Sequence, residues 1–373
     1  MLKVVGDVSL TDGFFDTGFG IGSSVRKAQN PFVHLRRNSS DLWLGNLECV
    51  IASHSNKKGF YRKQFIIAPQ HLGHVRHLNI YGVANNHVML HGSKAYQEML
   101  DYIDLSGSLC VGANQRKSVF LEHQGRQIAL SSFSQRKERF SKYPGYWYNP
   151  EYKEIEAEYR KIEDARFKIL YVHWGNEYVN KPYNDQRRFA HWLIDLGFDI
   201  VIGVHPHVLQ GYEVYNGKYI FYSIGNFVFN MPYEPACHSV ILNLDFSGDC
   251  LSVKYDYVKI GKDFFPKIIP EGDVPRQYRF DYLNERLGTD EENEIYYSNV
   301  FSMIKKHRKS NYSEFLRSTF KFSLSDYLSI LRDFVKRRAA EENGLNEESP
   351  DEIKPVFNMP AKVRSESQSS SSI

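Results

Sequence analysis

Cysteine is scarce and scattered. The 373 residues hold four, Cys49, Cys110, Cys237 and Cys250, and none belongs to a Cys-x-x-Cys pair. That excludes a disulfide framework and leaves reduced thiols. Long apolar runs are also missing. The N-terminus reads Met1-Leu2-Lys3-Val4-Val5-Gly6-Asp7, without the apolar stretch of a signal peptide, and no later run is long enough to span a bilayer. The expectation is a cytoplasmic protein, peripheral to a membrane only through a partner. Nor is there an excess of one charge: 47 basic against 44 acidic residues leave a net +3, which offers no footprint for nucleic acid. No internal repeat is visible.

What is present is material for a core. With 42% hydrophobic and 14% aromatic residues, the chain can bury one large core and a small second unit. Apolar runs at Leu2 to Val5, Leu42 to Leu44, Ile80 to Val83, Ile128 to Phe133, Phe167 to Val172, Phe198 to Val204 and Tyr219 to Ile224 predict strands. Between them Tyr96, Met99, Leu100 and Ile103 repeat at helical spacing behind Ser93, a candidate N-cap. Phe189, Leu193 and Leu196 do the same before Gly197, a stop signal. This alternation predicts an α/β domain, followed by a hairpin of Val240 to Phe246 and Leu251 to Ile260 around Ser247-Gly248-Asp249.

Beyond residue 262 the pattern changes. Leu324, Leu328, Leu331 and Val335 predict an amphipathic helix opened by Ser323 and Asp326 and closed by Lys336-Arg337-Arg338. The basic run Lys305 to Lys309 reads as a solvated helix end. The expected organisation is a main domain over 1–262, a helical extension over 263–340 and a disordered, serine-rich tail over 341–373.

The chemistry gathers where strands end. Asp199-Ile-Val-Ile-Gly-Val-His205-Pro206-His207 predicts two imidazoles leaving an extended segment on one side, a donor pair suited to zinc, iron or manganese. Read alone, the pair could equally make loop hydrogen bonds. Asp7 follows Gly6 at the first strand, Asn46 and Glu48 follow the second, Asn85, Asn86 and His87 the third, and His173 the end of a later one. Each of these also has a bland reading as a turn, a cap or a core histidine. Together, Asp7, Glu48, Asn86, His87, His173, His205 and His207 all fall at carboxyl ends of strands, where α/β sheets build their sites. Two divalent cations about 3.5 to 4 Å apart, held by carboxylate, amide and imidazole, would serve hydrolysis.

In order, Gly6-Asp7, Asn46-Leu47-Glu48, Ala84-Asn85-Asn86-His87, His173-Trp174-Gly175-Asn176-Glu177-Tyr178, Gly203-Val204-His205-Pro206-His207 and Tyr222-Ser223-Ile224-Gly225-Asn226-Phe227 resemble the CapA family of capsule and poly-γ-glutamate synthesis. Its domain is similar to a calcineurin-type metallophosphoesterase. The resemblance implies a four-layer α/β/β/α sandwich and two divalent metals, manganese, zinc or iron. It implies that Asp7, Glu48 and His207 hold one ion and Asn86, His173 and His205 the other. Glu48 is one candidate to bridge them, while Asn46 is the closer match in spacing to the superfamily's bridging aspartate. His87 corresponds to a catalytic histidine with a general-acid role. Asn46, Asn85, His91, Glu177, Ser223 and Asn226 are candidates for substrate contact or outer support. Two positions depart from the pattern: Ser9 stands where the superfamily has a histidine, and His91 where the family usually has an aspartate.

The implied function is a metal-dependent hydrolase of bacterial capsule or exopolymer biosynthesis, polysaccharide or poly-γ-glutamate. Its substrate would be a phosphoester or an amide, and capsule-assembly proteins would be its partners. The departures at Ser9 and His91 support the alternative, a noncatalytic polymer-binding or assembly subunit with a vestigial metal site.

Overall fold

The computed structural model describes residues 1–287 except 13–19, 76, 137 and 232, together with scattered positions between 295 and 335. Two sheets dominate. From edge to edge the first runs Pro266–Ile268, Ser252–Ile260, His238–Asp245, Leu2–Val8, Leu42–Leu47, Ile80–Gly82 and Leu109–Val111, with the short Asn226–Val228 also paired to Leu2–Val8. The second runs Tyr212–Tyr215, Lys218–Phe221, Ile200–Val204, Phe167–His173, Arg126–Ser134 and Ser118–His123. Each has a parallel centre, and antiparallel hairpin strands extend the first at one side and the second at both edges.

Period-two alternation sorts the side chains into three cores. Val4, Leu44, Ile80, Ile169, Tyr171, Ile200 and Ile202 fill the space between the sheets. Their neighbours Val5, Trp43 and Tyr81 turn outward, where they pack with Tyr96, Met99, Leu100 and Ile103 of the helix Ser93–Leu105. On the far side Leu170, Val172 and Val201 meet Phe189, Leu193 and Ile194 of the helix Asn184–Leu196, with Ile155 from Tyr152–Tyr159. Three cores between four layers make the α/β/β/α sandwich. Tyr171 locks the two sheets together, its fully buried hydroxyl donating to the Val5 carbonyl at 2.7 Å.

The structure departs from the sequence reading in places. Residue Ser93 opens its helix rather than capping it; the cap position is Gly92, at φ 85°, and no side chain bonds there. Leu109–Val111, Ser118–His123 and Tyr212–Tyr215 escape the apolar-run criterion because they are short or lie at a sheet edge with exposed residues such as Phe120 and Val214. Past residue 262, Pro266–Ile268 pairs with Ser252–Ile260, and Phe280, Leu283 and Leu287 of the helix Phe280–Leu287 are buried. The expected helix around Leu324 to Val335 and the tail over 341–373 lie outside the described residues, apart from isolated positions.

Candidate metal centre

Sheet register brings the polar residues together. Asp7 pairs with Asn46 across the first sheet, and Glu48 follows one residue past the end of that neighbouring strand. In the second sheet His173 pairs with Val204, so the next residue, His205, reaches the same edge. Gly6 has no alternative here, because a Cβ would overlap the carbonyl oxygen of Gly225, the acceptor for the Asp7 N–H at 3.2 Å.

The His205 and His207 pair is positioned differently from the sequence expectation. The strand ends at Val204, and both histidines adopt positive φ, 99° and 60°. Alternation along an extended strand is therefore not what aims them. Two left-handed residues fold the loop back so that the rings lie 5.7 Å apart and the His205 ring lies 4.5 Å from that of His173. Such backbone costs about 1–3 kcal/mol per residue and persists where the surroundings over-determine it.

Glu48 lies at the middle of the cluster. It is fully buried, and among the described residues no N–H or hydroxyl donates to either carboxylate oxygen, its near neighbour being the Asp7 carboxyl. Around it stand His87 Nε2 at 3.6 Å, His173 Nε2 at 3.7 Å, His207 Nδ1 at 3.9 Å and His205 Nδ1 at 4.0 Å. These separations are too long for hydrogen bonds. They match donors that share one ion, since bonds near 2.1 Å place two ligands about 3 to 4 Å apart. The donors form overlapping triplets, Asp7–Glu48–His207, Glu48–His173–His205 and Glu177–His205–His207. An orphaned buried carboxylate among imidazoles fits a divalent cation, because a buried charge needs a partner.

Neighbouring polar groups hold this set in place. Asn46 donates to Asp7 Oδ1 at 2.7 Å and touches His173 Nδ1 at 3.3 Å. Asn85 donates to Asn46 Oδ1 at 3.1 Å and to the Leu47 carbonyl at 2.8 Å, and accepts from the His87 N–H. Asn86 Oδ1 lies 2.9 Å from His173 Nε2. Asn226 Oδ1 is 2.9 Å from His207 Nδ1, the nitrogen that also faces Asp7 at 3.3 Å. Two residues point elsewhere. Ser223 donates to the Val208 carbonyl and shapes the turn beside the site. His91 is pinned between Ser55 Oγ and the Gln64 carbonyl, both at 2.6 Å, so it fastens a loop. Ser9 is buried and bonded to Thr11.

Charge follows this burial. Desolvation, then the nearby Asp7, hold the Glu48 carboxyl well above its usual range. Desolvation and neighbouring cationic groups keep His173 and His205 neutral, well below theirs. Burial pulls His207 down as well, but Glu48 and Asp7 overrule it and push the imidazole up to about 10. His87, packed on Phe65, is lowered to about 4, chiefly by burial.

A cavity of about 500 Å³ adjoins His87, walled by Asn56, Lys57, Tyr61, Gln64 and Phe140. These wall residues were absent from the sequence reading. Their one signal there is the basic cluster Lys57-Lys58 and Arg62-Lys63 between two site segments. Among the described residues no helix is long and apolar enough to cross a membrane.

Known proteins are similar to parts of this chain. The chain is 55% identical over 62 residues, 17% of its length and 16% of the relative's, to the PGA biosynthesis protein CapA of Bacillus subtilis. To the capsule biosynthesis protein CapA of Bacillus anthracis it is 33% identical over 168 residues, 40% of each chain. The chain thus spans well under two thirds of these curated relatives. Among solved structures, a phosphatase of Mycoplasma pneumoniae is 11% identical with a TM-score of 0.41, covering 69% of this chain and 92% of that one. A 5′-nucleotidase of Candida albicans gives 11% and 0.40, over 83% and 57%. The family model described as bacterial capsule synthesis protein PGA_cap matches residues 1–231, well over half of the chain, and the chain belongs to that family.

Proposed function

We propose that this chain is a metal-dependent hydrolase acting in capsule or exopolymer synthesis, on a phosphoester or on an amide such as a γ-glutamyl linkage. The observation that carries the reading is Glu48, buried, with no N–H or hydroxyl of the described residues bonded to it, and faced by four imidazoles at 3.6 to 4.0 Å. Asp7, Glu48 and His207 would hold one divalent ion, and Asn86, His173 and His205 a second, with Glu48 reaching both. Bound manganese, zinc or iron supplies Lewis acidity and makes hydroxide available near neutral pH. The chain's own residues do the rest. Asn46 and the backbone N–H of His205 hold the Asp7 carboxylate from both oxygens. Asn226 fixes the ring of His207. His87, at the cavity, would stand toward the leaving group; lowered to about 4 it is neutral near pH 7, so it would stabilise charge there through its N–H, and the general-acid role would require bound substrate to raise it. The relatives' names supply the pathway, and capsule-assembly proteins are the partners they suggest.

The test is metal content of the purified protein, followed by assays on phosphoesters and γ-glutamyl peptides with and without manganese or zinc. Bound metal is expected, with turnover that His87→Ala removes while the fold survives. Less than one metal per chain and no turnover on the panel would instead identify an assembly subunit with a vestigial site.

A further inference from the structure

His205 is completely buried, and among the described residues neither of its ring nitrogens has a hydrogen-bond partner. Nδ1 faces Glu48 Oε1 and Nε2 faces Glu177 Oε1, each at 4.0 Å. A neutral imidazole carries one N–H and one lone pair, so the two nitrogens cannot both ligate as neutral donors. Metal-bound histidines nearly always donate the second N–H to a carboxylate, carbonyl or water, and that donation selects which nitrogen binds.

We propose that Glu177 is the positioning residue for His205: it takes the Nε2–H and thereby commits Nδ1 to the metal beside Glu48. The inference rests on the metal-centre reading above. The loop that carries Glu177 is built onto the loop that carries His205. Trp174 N–H donates to the Val204 carbonyl at 3.1 Å and Tyr178 N–H to the Pro206 carbonyl at 2.8 Å, so backbone bonds bracket Glu177 on both sides. Arg136 donates to the Gly175 carbonyl at 3.1 Å. Gly175 and Tyr178 both have positive φ, 78° and 66°, a tight reversal that presents the intervening carboxylate to the histidines. Glu177 is also the one partly exposed acid of the three donor triplets, its side chain 33% accessible. Its long side chain can close the remaining ångström, whereas His205, fully enclosed, cannot. Charge points the same way: two dications against Asp7 and Glu48 leave a surplus of positive charge that a third carboxylate at the rim reduces.

The experiment measures manganese binding to the full chain by calorimetry and metal stoichiometry by elemental analysis, with the absorption spectrum of the cobalt-substituted protein as a second readout. Variants are Glu177→Ala, Glu177→Gln, His205→Ala and the Glu177→Ala/His205→Ala pair. Expected is unchanged stoichiometry in Glu177→Ala with affinity weakened roughly 10- to 100-fold, a shifted cobalt spectrum, and partial rescue by glutamine, whose amide oxygen still accepts the N–H. In the His205→Ala background the second substitution adds nothing. Loss of a whole equivalent of metal in Glu177→Ala would overturn the proposal by making Glu177 a direct ligand. Wild-type affinity and spectrum in both Glu177 variants would overturn it while leaving the metal centre intact. A wild-type protein that binds no metal would overturn both.

Discussion

Replacing Glu48 by glutamine separates what the residue does for metal from what it does to the fold. In metal-free protein the carboxylate is a liability: fully buried, with no N–H or hydroxyl of the described residues donating to either oxygen and its pKa held well above the usual range even with His207 charged nearby. Each unit of such a rise costs about 1.4 kcal/mol at any pH above the shifted value. The neutral amide removes that cost and retains a polar group worth about 1–3 kcal/mol if left unsatisfied, but here imidazole nitrogens stand close by. The same change takes away the main partner that raises His207, which offsets part of the gain, so in chelator at pH 8 Glu48→Gln is expected to melt close to wild type. With metal a gap opens, because Glu48 belongs to two of the three donor triplets and its loss should weaken binding by more than the roughly 100-fold reached by outer-support residues. Manganese at 100 times the wild-type Kd adds about 2.7 kcal/mol to wild type and no more than about 0.4 kcal/mol to the variant. For a body of this size that is about 5–11 °C against about 1–2 °C in Tm. Paired thermal melts in EDTA and in manganese read both effects. A variant that melts several degrees lower in EDTA yet gains the wild-type shift from manganese would show that Glu48 is a structural acid and no ligand.

The pH dependence follows from His207, whose folded pKa of about 10 exceeds its unfolded value near 6.5. The folded, metal-free protein holds an extra proton between those values, so its stability falls as pH rises through that window. Metal displaces this proton, and the manganese-induced shift in Tm should grow between pH 6 and 8.5; a flat or shrinking shift would contradict the assignment. His91→Ala removes two bonds, to Ser55 and to the Gln64 carbonyl, and should cost about 1–3 kcal/mol with metal affinity retained, as chemical denaturation and calorimetry can check. Tyr171→Phe should cost about 1 kcal/mol through the lost bond to Val5 and leave metal binding untouched; a large loss of affinity would mean that the sheets are not independently held.

Much of this centre was legible in the residue order because a parallel α/β sheet delivers its strand ends to one edge. Asp7, Glu48, His173 and His205 needed only the strand assignment, and apolar runs supplied that. What escaped was contributed by loops and by register. No periodicity announces that Asn46 lies opposite Asp7, that His91 fastens residues 55 and 64, or that the cavity wall comes from Lys57, Tyr61 and Phe140. These depend on contacts between segments distant along the chain.

The histidine pair reaches the cluster through a geometry that the residue pattern did not anticipate. His-Pro-His suggested an extended step, yet both histidines took φ values that β-strands exclude. A left-handed turn at non-glycine residues is costly, and here it is held by bonds from another loop, Trp174 to Val204 and Tyr178 to Pro206. The same two bonds set Glu177 beside His205 Nε2. The strain at His205 and the placement of Glu177 therefore share one cause, the lacing of residues 174–178 to 204–206. Weakening that lacing, rather than removing any donor, should loosen the metal centre: Pro206→Gly keeps every ligand but relaxes the loop between them, and should lower manganese affinity without changing stoichiometry.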